Sequence, residues 1–266
     1  MDIDHHPAIP NEIHQDILRR IRKAEQEHNV KVLLAIESGS RAWGFASPNS
    51  DYDVRFIYAH PKDWYISIDV EEQRDVIEYP IVDDIDINGW DIRKALKLLT
   101  KSNPAVIEWL QSPIVYVEHT DFKRRILSSL SDVYNPTRGI YHYRSMANDN
   151  HKGYLQAEQV KLKKYFYILR ALFAANWINT FNEPAPIEFD VLRSIVKNDT
   201  IQQAIDKLLA QKKQSLEKDY IAPVPALDNF IAETLTSLAD FNQKPSLPAS
   251  QVIQLNQIFR ETLSQL

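Results

Sequence analysis

The stretch Val32-Leu-Leu-Ala-Ile-Glu37-Ser-Gly39-Ser40-Arg41-Ala-Trp-Gly44 and, after six intervening residues, Asp51-Tyr-Asp53-Val-Arg55-Phe-Ile-Tyr58 decides the fold. Val32 to Ile36 is a short unbroken apolar run, closed by Glu37 and Ser38, and suits a buried strand. Gly39-Ser40 then reads as a strand-to-helix turn. Backbone N–H groups at such a turn can cradle a phosphate, and glycine lets the ligand approach closely. The Ser40 hydroxyl adds a donor and Arg41 adds charge. Tyr52 to Tyr58, carrying Val54, Phe56 and Ile57, reads as a second strand. Period two places Asp51 and Asp53 on one face, and Arg55 continues that face. Two like charges held this close are costly without a cation, and a hard divalent ion with oxygen ligands, Mg²⁺ or Mn²⁺, relieves the conflict.

Further out, Asp75 to Ile81 and Asp83 to Ile87 read as strands. Residues 11–28 form an amphipathic helix, with Ile13, Ile17, Leu18 and Ile21 at helical spacing. Ile92 to Leu99 and Ala105 to Leu110 are helices, the second opened by Asn103-Pro104. Beyond about residue 120 only helical periodicity is visible: Phe122–Leu130, Tyr141–Ala147, Gln156–Trp177, Ile201–Leu216, Leu227–Phe241 and Ser250–Leu263, punctuated by prolines. The pattern predicts an α+β protein. A mixed sheet with helices occupies residues 1–120, and an all-α domain residues 121–266.

Composition narrows the classes. The 266 residues are 44% apolar and 25% charged, ordinary globular values that exclude a disordered chain. No cysteine is present, which removes disulfides, zinc-thiolate sites and thiol catalysis. No apolar run approaches the roughly 20 residues needed to span a bilayer. The first residues show no basic or apolar leader segment, so a cytoplasmic protein without membrane partners is expected. Net charge is -5, which argues against wholesale nucleic-acid coating. The charge is nevertheless polarised. Residues 51–91 hold twelve acids against three bases, net -9, and residues 138–170 hold seven bases against two acids, net +5. Glycine is scarce, 5 residues in all, and Gly39, Gly44 and Gly89 fall beside the residues singled out above and below.

Gly39-Ser40 followed by Asp51-x-Asp53 resembles the signature of the DNA polymerase beta-type nucleotidyltransferase superfamily. Longer strings are similar to its YcgL/RlaP-like branch of predicted nucleotidyltransferases. They are Gly39-Ser-Arg-Ala-Trp-Gly44, Ser50-Asp-Tyr-Asp-Val-Arg55-Phe-Ile-Tyr58, Gly89-Trp-Asp-Ile-Arg-Lys94, Asn103-Pro104, Glu108-Trp-Leu, Ser112-Pro-Ile-Val-Tyr116 and Lys163-Lys-Tyr-Phe-Tyr-Ile-Leu-Arg170. The resemblance covers about residues 30–190. It implies a third carboxylate on a later strand. Asp86, near a strand end, is the first choice; Asp84 shares its face by period two, and Asp91 suits the cap of the helix from Ile92. It also implies that cations of the helical part meet the triphosphate. Lys163, Tyr167 and Arg170 share one face beside an apolar stripe, with Lys164 adjacent.

The expected site is therefore Asp51, Asp53 and Asp86 as catalytic, metal-binding carboxylates, with Gly39, Ser40, Arg41, Arg55, Lys163, Lys164 and Arg170 on the nucleotide. The expected reaction moves a nucleoside monophosphate from an NTP to a hydroxyl, with Mg²⁺ or Mn²⁺ and loss of pyrophosphate. The acceptor could be a small molecule, an RNA end or a protein hydroxyl. The alternative is a non-catalytic nucleotide-binding sensor or antitoxin-like partner with the same fold. A hydrolase with a metal dyad fits less well, because the eight histidines are scattered along the chain.

Overall fold

The structure, a computed structural model, describes residues 9–214, 219–239, 241 and 250–266, without the side chains of 250 and 251. The described residues fall into two compact units. One lies within Met1–Ala42, Asp51–Tyr134 and Leu247–Leu266, the other within Trp43–Ser50 and Asn135–Ser246. The fold is α+β: an N-terminal mixed five-stranded sheet with helices, then a mostly helical C-terminal region.

The first unit opens with α1 (Asn11–His28), which ends at Asn29 in the left-handed conformation, φ 49°. The strands follow as β1 (Lys31–Glu37), β2 (Tyr52–Ala59), β3 (Val76–Glu78), β4 (Ile85–Asp91) and β5 (Val115–Glu118). Single-turn α2 (Gly39–Ala42) follows β1, and α3 (Lys62–Tyr65) follows β2. Helices α4 (Ile92–Leu99) and α5 (Pro104–Gln111) come after β4, and α6 (Phe122–Val133) after β5. Sheet order is β3-β4-β2-β1-β5; only β2 and β4 run parallel.

Alternation decides what each sheet face does. Val54, Phe56 and Tyr58 of β2 join Ile85 and Ile87 of β4 in one core with Ile17, Ile21 and Ala24 of α1. Ile57 and Ala59 point the other way, into a core built with Ile92, Leu96, Ile107, Leu110 and Ile126. Trp90 of β4 packs against that second core and stacks on Trp109 at 3.9 Å. Asp53 and Arg55 therefore share the face of Ile57, and Asp86 and Asn88 the face of Trp90. Gly89 serves the opposite face. A Cβ there would lie 2.2 Å from the Phe56 ring, its neighbour in the parallel ladder, so this glycine makes room for an aromatic core residue.

The second unit contains α7 (Pro136–Tyr154), β6 (Val160–Lys161), α8 (Leu162–Phe181), α9 (Phe189–Arg193), α10 (Asp199–Gln214), β7 (Tyr220–Ile221) and α11 (Pro225–Ala239). The last helix, α12 (Ser250–Leu263), returns to the first unit, where Leu255, Ile258 and Leu263 join the core of α4 to α6. Helix α8 is apolar nearly all round, with twelve buried residues, and forms the centre of its unit.

The segment Trp43–Ser50 also belongs here. Phe45 is buried, stacked on Phe166 at 5.1 Å and set edge-on to Phe189 at 5.4 Å. The Phe189 N–H donates to the Trp43 carbonyl at 2.9 Å. Lys212, 2% exposed, donates from Nζ to Ser47 Oγ at 3.0 Å. The chain between the glycine turn and the aspartates is thus a core element of the helical unit rather than a free loop. Phe45→Ala removes a fully buried aromatic ring, and a loss of about 3–5 kcal/mol is expected in denaturant unfolding.

The structure departs from the sequence expectations in several places. β5 has no counterpart among the expected strands, because Val115 to Glu118 is too short to show a period. The strand expected from Asp83 begins at Ile85, since Asp83 and Asp84 both adopt left-handed backbone angles. The helix expected from Gln156 begins at Leu162, after the short β6. β6 pairs antiparallel with β7, so the C-terminal region is mostly rather than entirely helical. The expected ends of the helices reaching Leu216 and Phe241 run onto or across residues outside those described. No helix of the described residues is long and apolar enough to cross a membrane.

Candidate active site

The parallel pairing of β2 and β4 sets Asp53 directly beside Asp86. One guanidinium joins them. Arg55 Nη2 donates to Asp53 Oδ1 at 3.0 Å and to Asp86 Oδ2 at 2.7 Å, and Nη1 donates to the Asp86 carbonyl at 2.8 Å. Asn88 Nδ2 donates to Asp86 Oδ1 at 2.6 Å, so both Asp86 oxygens are held. The three charged side chains are 18–31% exposed, open enough to be reached and sheltered enough for their charges to couple.

The far oxygen of Asp53 lies against the glycine turn. Gly39 has φ +60°, a conformation that a residue with a side chain rarely adopts. A Cβ there would stand 2.0 Å from Asp53 Oδ2. Gly39 is therefore required twice: for the backbone turn into α2, and to leave the space the carboxylate fills. The Asp53 backbone is fixed as well. Its N–H donates to Glu37 Oε1 at 3.0 Å and its carbonyl accepts from the Ser38 N–H at 2.8 Å. Glu37 is fully buried, and burial pushes its carboxyl up to about 7 despite hydrogen bonds from Tyr116 and Asp53.

The other expected residues take varied positions. Asp51 precedes β2 and is exposed, and its carbonyl accepts from Arg41 Nε at 3.3 Å. The Arg41 guanidinium lies 4.0 Å over the Tyr52 ring and the residue is buried, so it secures the entry to β2. Ser40 is buried within α2. Asp84 does not share the face of Asp86: it sits in the left-handed turn ahead of β4, where its carbonyl accepts from the Tyr52 N–H at 2.7 Å. Asp91 caps α4, accepting from the Arg93 N–H and the Tyr65 hydroxyl, both at 2.7 Å; burial raises its pKa. In the second unit, Lys163, Lys164 and Arg170 all lie on α8. Lys164 Nζ is 3.6 Å from the centre of the Tyr154 ring. Arg170 is 4% exposed with its guanidinium 3.8 Å over Trp43, a cation–π contact inside the unit.

Asn88, Glu37 and Tyr116 escaped the sequence reading. Asn88 carried a usable signal, since it lies two residues from Asp86 on the same strand. Glu37 and Tyr116 acquire their roles through pairing between β1, β2 and β5, which no local pattern reveals.

A hard divalent cation fits this donor set. Mg²⁺ characteristically binds through one or two carboxylates together with substrate phosphates rather than an all-protein cage. Asp53 and Asp86 supply such a pair, and the guanidinium between them shows that the pair calls for positive charge. Among the described residues no group of three or more His, Cys, Asp or Glu forms a metal cluster, so Asp51 is not gathered with the other two into a three-carboxylate cage.

The chain is similar to known proteins. The family model RlaP, described as an RNA repair pathway DNA polymerase beta family, matches residues 13–261. A protein of Bacillus subtilis (strain 168), named "Uncharacterized protein YcgL", is 44% identical over 218 residues, 82% of this chain and 83% of its own. A nucleotidyltransferase-like protein from Exiguobacterium sibiricum 255-15 aligns over 94% of this chain and 80% of its own, at 12% identity and a TM-score of 0.30. The extent of the family match and the identity to YcgL together show that this chain belongs to the RlaP, or RNA repair pathway, DNA polymerase beta family of nucleotidyltransferases.

Proposed function

We propose that the protein is a metal-dependent nucleotidyltransferase that moves a nucleoside monophosphate from an NTP to a hydroxyl acceptor. The observation that carries this reading is the pairing of Asp53 and Asp86 across β2 and β4, with Asp53 seated against the Gly39 turn. In the reaction the acceptor oxygen bonds to the α-phosphorus, the α–β bridging P–O bond breaks, and pyrophosphate departs. Asp53 and Asp86, with Asp51 ahead of β2, would hold Mg²⁺ or Mn²⁺. The ion supplies charge neutralisation at the triphosphate and lowers the pKa of the attacking hydroxyl.

The chain's own residues set the geometry. Arg55 bridges the two carboxylates and holds them adjacent, and Asn88 fixes the rotation of Asp86. Gly39 and Ser40 present the turn to the triphosphate. Lys163, Lys164 and Arg170 are carried by the sequence resemblance as further nucleotide contacts. The family description names RNA repair, so an RNA end is the first acceptor to test.

The test is incubation with each α-³²P NTP, Mg²⁺ or Mn²⁺, and RNAs bearing defined 2′- or 3′-hydroxyl ends. Label is expected on the RNA, with pyrophosphate released in equal amount. Tight NTP binding with no transfer to RNA, protein or small-molecule hydroxyls would favour a nucleotide sensor instead. Phosphate release without an acceptor would favour a hydrolase.

A further inference from the structure

We propose that Glu37 is a positioning residue for Asp53: it fixes the backbone from which the metal-binding carboxylate projects. Glu37 is the last residue of β1 and is 0% exposed. An apolar side chain would suit such a place at lower cost, since a buried carboxylate needs partners for both oxygens. Both are partnered. Oε1 accepts from the Asp53 N–H at 3.0 Å, and Oε2 accepts from the Tyr116 hydroxyl at 2.6 Å. The Glu37 main chain is held too, its carbonyl by Ser112 Oγ at 2.6 Å and its N–H by the Ile114 carbonyl at 3.0 Å.

The location matters because the β1–β2 ladder ends here, at the pair Glu37 and Val54. One residue before Val54 in β2, the Asp53 N–H donates to a side chain instead of to the ladder. That carboxylate ties β5, β1 and β2 together through Tyr116, Glu37 and Asp53. The space between Gly39 and the Asp53 carboxylate would not admit even a methyl group, since a Cβ at Gly39 would stand 2.0 Å from Asp53 Oδ2. A small shift of the Asp53 backbone would therefore move its carboxylate off Asp86 and Arg55. Glu37 itself touches neither nucleotide nor ion in this account; it acts through Asp53.

The proposal rests on the metal-binding role given to Asp53 above, and its test separates the two. Glu37→Gln keeps the length of the side chain: its carbonyl can accept from Asp53 while its amide donates to the Tyr116 oxygen. Glu37→Asp keeps the carboxyl group and loses the reach. Three quantities are measured on each folded variant: hydrogen exchange of the Asp53 amide by NMR, Mn²⁺ affinity by EPR titration, and thermal stability. Glu37→Asp is expected to speed Asp53 exchange and weaken Mn²⁺ binding by about tenfold to a hundredfold, while the Phe56 amide in mid-strand stays protected. Glu37→Gln is expected to stay close to wild type on both scales.

A Glu37→Asp protein that loses only thermal stability would show a merely structural residue and overturn the proposal. So would a Glu37→Gln protein as impaired as Glu37→Asp, because a side chain of full reach that still accepts from the Asp53 N–H would then not suffice. Should Glu37→Asp not fold, Tyr116→Phe, which removes one of the two bonds aiming the carboxylate, is read on the same scales with the same meaning. Failure of wild type to bind Mn²⁺, or equal binding by Asp53→Ala, would instead sink the metal reading. The Asp53 amide would then still decide whether Glu37 fixes that residue.

Discussion

Asp53→Ala is expected to abolish nucleotidyl transfer while leaving the protein folded. Asp53 is one of only two carboxylates that the parallel ladder places side by side, and Asp86 with the exposed Asp51 would hold a divalent ion far more weakly. A metal at a phosphoryl centre supplies several kcal/mol of transition-state stabilisation. At about 1.4 kcal/mol per factor of ten, the loss comes to roughly 10³-fold or more in kcat. Stability should change little. The Asp53 side chain is 31% exposed, and Arg55 keeps its 2.7 Å bond to Asp86 when Asp53 is truncated. Single-turnover transfer from α-³²P NTP, run beside a thermal unfolding curve, checks both halves. Transfer within tenfold of wild type by a folded Asp53→Ala protein would remove Asp53 from the mechanism.

Gly39→Val is expected to remove NTP and Mn²⁺ binding together. Two independent constraints converge on this glycine. A β-branched residue at φ +60° carries backbone strain of about 1–3 kcal/mol. Separately, any Cβ at this position lands 2.0 Å from Asp53 Oδ2 and 2.8 Å from its Cγ, so the carboxylate must move. The second effect needs only a methyl group, and Gly39→Ala should lose Mn²⁺ affinity almost as completely with a smaller loss of stability. The rest of the sheet is unaffected, because Gly39 lies outside the ladder at the start of α2. Calorimetric titration with Mn²⁺ and with a non-hydrolysable NTP gives the measurement. A Gly39→Val protein that bound both normally would refute the account of the turn.

Much of this site was legible in the sequence, because its chemistry is written in short range. The apolar run before Gly39, the alternation from Tyr52 to Tyr58 and the D-x-D spacing all act within a few residues. They correctly indicated β1, the turn into α2 and β2. The same local logic placed Asp91 as the cap of α4, where a free N–H at a helix start needs an acceptor. It failed wherever a residue's role depended on a partner far along the chain. Period two put Asp84 beside Asp86, yet consecutive left-handed angles at Asp83 and Asp84 delay the strand to Ile85. Arg41 lies over the Tyr52 ring and bonds the Asp51 carbonyl, contacts that depend on residues ten and eleven positions on.

The amino-acid sequence by itself determined that a glycine turn, two closely spaced aspartates and a later carboxylate would occur on an α+β framework. Residue type, spacing and backbone preference act locally and need no knowledge of the rest of the chain. Only the tertiary structure decided which carboxylates meet. The register of β2 against β4 sets Asp53 beside Asp86, and the antiparallel pairing of β1 brings Glu37 and Gly39 to Asp53 from either end of its reach. Strand pairing joins residues well separated along the chain, and its register is fixed by burial of two apolar faces at once, which no single segment records. The scarcity of glycine acquires its meaning at that level: Gly39 is kept clear for a carboxylate and Gly89 for a phenyl ring, both of which arrive from β2.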